Sequence, residues 1–199
     1  LQVAILNNDS SGSSGGSSSQ SSTVLSVDCS NIDSGISLIN SYISKKINLS
    51  HCKAVIISEE LAYNGVSDIL HTLINNVEIR PDCNLIISRS SAFDFLEHSS
   101  PVFESSPANY YELILNSTEY SGYVADLRLS DFFSSVLSTT SQPCAILGGI
   151  NTPETQKQDA STSLDGNYKA DQTPIQSQNR IENIGTAVFM RRQACWRVR

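Results

Sequence analysis

The sequence predicts an α/β (α+β) fold: a mixed β-sheet of about five to six strands flanked by helices, with two long polar loops. Three observations lead there. Residues 53–57 and 84–88 are short runs that are apolar almost throughout, as strands covered on both faces are. Around them lie stretches whose apolar residues recur at helical spacing. Segments 10–22 and 151–179 are polar and carry no apolar pattern. Short strands alternating with helices belong to a sheet with helices packed against it.

Leu1–Leu6 is a short apolar run, and Thr23–Asp28 alternates as a half-buried strand does. Between them, Ser10–Ser22 contains only Ser, Gly and one Gln, too little apolar surface to offset the entropy of ordering it. It reads as the flexible tip of a hairpin rather than an interdomain linker. A helix follows, with Asp33 or Ser34 as its cap and Ile36, Ile39, Ile43 and Ile47 on one face. Lys45 and Lys46 are expected near its C-terminus, where the helix dipole favours cations.

The next strand is Lys53–Ile57. A helix then carries Val66, Ile69, Leu70, Leu73, Ile74 and Val77 as its apolar stripe. Asn84–Ser88 is the following strand, and Ser90–Leu96 has helical character. Ser106 and Pro107 start a helix bearing Tyr110, Leu113 and Ile114, with proline at its first position. Ser130-Asp131 starts another, with Phe132, Phe133, Val136 and Leu137 inward. Cys144–Leu147 is a strand that Gly148-Gly149 is expected to end. The polar segment 151–179 is a second flexible loop, after which Ile184–Phe189 returns to strand character.

The chain has 199 residues, 39% of them hydrophobic and 17% charged, with formal net charge −7. That size builds about one domain. The acidic balance argues against nucleic acid, which needs clustered Lys and Arg. No apolar run approaches the roughly 18 residues of a membrane-spanning helix. The chain begins at Leu1, with neither signal peptide nor lipobox, and is expected to be a fragment or a processed form.

Cys29, Cys52, Cys83, Cys144 and Cys195 are scattered and odd in number, so buried free thiols are expected rather than a disulfide framework. His51, His71 and His98 share no ligand spacing with them, and no metal is assigned. Glu59 and Glu60 follow a strand at its C-terminal end, where α/β folds place catalytic groups. Their simpler reading is as first-turn acids complementing a helix dipole. No dinucleotide loop occurs, and Gly148-Gly149 lacks the glycine spacing of one. Asn116-Ser117-Thr118 is a glycosylation sequon by pattern alone. Of Tyr110-Tyr111, one ring is expected in the core and the other partly exposed. Arg80, in the turn Glu78-Ile79-Arg80-Pro81-Asp82, can fork-bond carboxylates or backbone carbonyls, a structural role first and an interface role second.

Residues 53–96 combine these features in a particular order: Ala54-Val55-Ile56-Ile57, Ser58-Glu59-Glu60-Leu61-Ala62, a helix, the Arg80-Pro81-Asp82 turn, Leu85-Ile86-Ile87, then Ala92–Leu96. This order, with the closing Gly185-Thr186-Ala187-Val188-Phe189, resembles the N-terminal domain of the Ger(x)C family, the C-subunit lipoproteins of spore germinant receptors. The likeness runs from the first strand to Phe189 and implies such a domain over residues 1–190. It also implies a non-catalytic subunit without a cofactor, acting in receptor assembly or signal coupling beside integral-membrane germinant receptor subunits. The location implied is extracytoplasmic, at the spore inner membrane. Members are tethered through a lipidated N-terminal Cys that this chain lacks. Glu59, Glu60, Tyr63 and Arg80 form the interaction surface expected on this reading. The alternative is a small α/β ligand-binding or hydrolytic domain with a site near Glu59 and Glu60; a deep cleft there would favour it.

The resemblance stops after Phe189. Residues 191–199 hold four Arg and the one Trp of the chain. Read one base forward, the same codons can encode Cys-Glu-Gly-Lys-Leu-Val-Gly-Glu-Leu, close to the strand with which the family continues. A frameshifted tail is therefore expected, against the competing reading of a natural basic tail. A chain truncated in this way could also be non-functional.

Overall fold

Strand pairing divides the structure, a computed structural model, into a five-stranded sheet and a separate two-stranded one. It describes residues 2–6, 22–43, 46–100, 104, 107–115, 118, 121–151, 171, 173, 175, 178–192 and 195–198. The smaller sheet is the expected hairpin: β1 (Gln2–Leu6) runs antiparallel to β2 (Ser22–Ser26), with Ala4 opposite Val24. Residues 10–21 of its expected loop lie outside the described residues, as does Ser106. The main sheet has the order β3 (Ala54–Ser58), β4 (Asn84–Ser88), β5 (Cys144–Ile150), β6 (Ile181–Arg192), β7 (Cys195–Val198). The first three are mutually parallel and the last two pairings are antiparallel. The sheet is thus mixed.

Six α-helices are described: α1 (Ile32–Tyr42), α2 (Glu59–Asn64), α3 (Ser67–Asn75), α4 (Ala92–Glu97), α5 (Pro107–Leu115) and α6 (Leu129–Leu137). The continuous apolar runs of β3 and β4 follow from cover on both faces. On one face Val55, Ile57, Leu85 and Ile87 meet Ala62, Leu70 and Leu73 of the α2–α3 region and Leu129 and Phe132 of α6. On the other, Ile86 and Ile146 meet Phe95 of α4 and Tyr111 of α5. Each large side chain so buried contributes about 1.5–3 kcal/mol.

Several expectations change. Asn31 caps α1, accepting from the Ser34 amide at 2.8 Å, and Asp33 falls in the first turn. Ile43 ends α1 and Ile47 is buried beyond it. Lys46 therefore serves Glu78 rather than a helix terminus. Val77, Leu113 and Leu137, placed inward by spacing, are exposed, because each sits at or past the end of its helix or off the buried stripe. β5 does not end at Gly148-Gly149 but runs through both to Ile150. A Cβ at Gly148 would lie 2.9 Å from Ile86 Cγ2 and from the Phe95 ring, so the residue's smallness seats α4 on the sheet.

β6 is long. Gly185, at φ +94, lies near a register shift between Ile146 and Gly148 on β5, the geometry of a bulge that glycine tolerates. Beyond it Ala187 and Phe189 return to the core. The strand continues to Arg192 and pairs with β7, with Met190 opposite Arg197; β7 approaches α2.

Candidate interaction surface

Ser58 ends β3 and also caps α2, its hydroxyl accepting from the Leu61 amide at 3.4 Å. That places Glu59 and Glu60 in the first helical turn, where their charge faces the positive end of the dipole. Ala62 anchors the helix with no exposure at all. Gly65, at φ 118, ends it. Since side chains four apart share a helix face, Glu59 and Tyr63 lie together, with Glu60 a step around. Tyr63 is 47% exposed and Leu61 44%. The sequence-predicted residues of α2 thus form an open acidic and aromatic surface.

Arg80 is not part of it. It precedes the amino end of β4, whereas Glu59 follows the carboxyl end of the parallel β3, so about 16 Å of strand separates them. Arg80 is exposed, and its Nε lies 3.6 Å from an Asp82 carboxylate oxygen. Its neighbour Glu78 does more structural work. Glu78 takes the Lys46 ammonium at 2.8 Å and the Leu49 amide at 3.4 Å, which ties the loop before β3 to the loop before β4. These donors hold its carboxyl below the usual range, the Lys46 bond first, and the same bond raises the Lys46 pKa.

Arg128 is the residue that sequence reasoning missed at this end. Its Nη1 donates to the Asp82 carbonyl at 3.4 Å, its Nε to Asp126 at 3.2 Å, and its backbone bridges Asn84. Its amide donates to Asp131, which joins this end to the start of α6.

Open α/β sheets bind ligands at the carboxyl ends of strands where the strand order reverses. Here β3, β4 and β5 follow one another across the sheet without reversal, so that crevice does not arise among them. The carboxyl ends of β4 and β5 are instead occupied by the chain. Glu182 accepts from the backbone amides of Asp171 at 3.0 Å and Thr173 at 3.4 Å, and also from the Asn151 and Thr173 side chains. Arg89 pairs with Asp171 at 2.8 Å. Part of the segment expected to be patternless is thereby anchored, and Asn151 and Thr173 are buried. An apolar groove of about 390 Å³ lies elsewhere, between Leu25–Val27 and Leu38, Ile39 and Tyr42 of α1.

Tyr111 is buried, and its partner Tyr110, ring centroid 5.5 Å away, is partly so, the division expected. Burial raises both hydroxyl pKa values. Cys52, Cys83 and Cys144 are free thiols, and of the three only Cys83 is fully buried. Burial pushes the Cys83 thiol up to about 12 and raises that of Cys52. Among the described residues no cluster of three metal-ligating side chains occurs, and no helix is long and apolar enough to cross a membrane.

Residues 1–152 match the family model described as the spore germination protein N-terminal domain. The chain is also similar to YfkR, a candidate spore germination protein of Bacillus subtilis (strain 168), with 29% identity over 126 residues. That alignment covers 62% of this chain and 31% of the relative, so the chain spans under a third of the curated relative it matches. No solved structure matches the chain.

Proposed function

We propose, because this chain belongs to the spore germination protein family defined by that N-terminal domain, that it serves as a non-catalytic subunit of a nutrient germinant receptor. Its role is in assembly or signal coupling, outside the cytoplasm at the spore inner membrane, beside integral-membrane subunits. The observation that carries the non-catalytic reading is the placement of α2. Glu60, Leu61 and Tyr63 stand on an open helix surface at the end of a rigid sheet, the setting of a contact face rather than of a desolvated active site. The unreversed order of β3, β4 and β5 supports the same reading, since no crevice of the kind that α/β enzymes use arises among these strands.

The test is recovery of the protein from spore inner membranes with multi-span partners after mild detergent extraction. Co-purification supports the subunit role. A protein found only as an unassociated species in germination-competent spores would refute it.

A further inference from the structure

β4 is buried at all five residues, while β3 is only partly buried at four of its five, although helices cover both faces of the sheet. The difference lies at the edge, since β3 is the terminal strand among the described residues. Which backbone groups face outward follows from one bond: the Asn84 amide donates to the Lys53 carbonyl at 2.9 Å, in the register Ala54 to Asn84. In a parallel ladder this turns residues 53, 55 and 57 toward β4 and residues 54, 56 and 58 away from it. The outward Ala54 carbonyl receives the Cys52 thiol at 3.3 Å. Among the described residues, no backbone partner meets the N–H or C=O of Ile56. Ala54–Ser58 holds no proline and no charge, the devices that usually blunt a sheet edge.

We propose that β3 pairs antiparallel with β3 of a second copy, about a two-fold axis through Ile56. Two features single out a second copy as the occupant. With Ile56 opposite itself, Ala54 falls opposite Ser58, so all the outward-facing residues occupy hydrogen-bonded positions of one antiparallel register. Just beyond, Lys53 of one copy stands opposite Glu59 of the other, at both ends of the pair. In the single chain Lys53 holds Glu112 at 2.8 Å, and its side chain is 37% exposed.

Sedimentation equilibrium from low to high micromolar concentration tests this, with thermal denaturation of each variant as a check on folding. The wild type is expected to show a reversible monomer–dimer equilibrium, with slowed exchange of the Ile56 amide as dimer accumulates. K53E and E59K should each weaken the dimer about tenfold, because two opposed pairs become like-charged. The K53E/E59K double variant should return to within about threefold of wild type. A wild type that stays monomeric throughout overturns the proposal. So does a dimer indifferent to the single reversals, or a folded double variant that does not recover.

Discussion

The rings of Phe132 on α6 and Phe189 on β6 meet edge to face, with centroids 4.9 Å apart at 83°, and neither ring is more than 1% exposed. The contact joins α6 to the antiparallel strand β6. Phe189→Ala should therefore cost about 3–5 kcal/mol, read as a lower urea midpoint with an unchanged slope. Leu137→Ala, from an exposed position at the end of α6, should change stability by no more than about 0.5 kcal/mol. Comparable losses from the two would contradict this packing.

Gly148→Ala should destabilise by about 1–3 kcal/mol, because its methyl group would press on the Phe95 ring and Ile86. Adding Phe95→Leu should recover part of the loss by vacating that space. If the single variant is as stable as wild type, α4 does not seat where described.

The Lys46–Glu78 pair gives stability a pH signature. Glu78 titrates below its ordinary value of 4.5 in the folded chain. Its contribution is present above that value and fades as acid carries the pH through the folded pKa. Lys46 titrates above its ordinary 10.5, so its share persists below that value and is lost as alkali passes the folded pKa. Both groups are solvent-exposed and the effect is small. Glu78→Gln should flatten the acid limb of a plot of melting temperature against pH; an unaltered limb would rule the pair out as its source.

Cys83 should resist alkylation in the native protein near pH 8, since its thiol is buried and its pKa is pushed to about 12. Iodoacetamide labelling followed by peptide mass analysis should find Cys83 unmodified until denaturant is added. Rapid native labelling would mean that the start of β4 opens readily.

On the proposed contact face, Glu60→Lys with Tyr63→Ala should reduce recovery of the membrane subunits severalfold while leaving the melting temperature within a few degrees of wild type, because neither side chain is buried. Undiminished recovery would move the contact away from α2.

Much of this arrangement was legible in the residues, and the exceptions share a cause. Asn84–Ser88 declared itself because helices on two sides demand the unbroken apolar run Leu85-Ile86-Ile87 at its centre. Glu59 and Glu60 could be placed at a helix start because the dipole favours acids there. From sequence Gly148 reads as the end of its strand, wrongly, since a glycine that ends a strand and one that clears room for Phe95 look alike until α4 has been seated. Asn31, Asp33 and Ser34 are all competent caps, and only the turn geometry chose Asn31. The separation of Arg80 from Glu59 follows from two strands running the same way, and Arg128 meets Asp82 across 46 positions. Local patterns carry neither.

The Glu182 carboxylate has one more effect. By fastening Asn151 to Thr173 it draws the departure and return points of the intervening chain to a single place on the sheet. With Asn151 and Thr173 held by one carboxylate, a change in the number of residues between them leaves these two anchors in place. Relatives should accordingly differ in size here more freely than at any turn between β3 and β5.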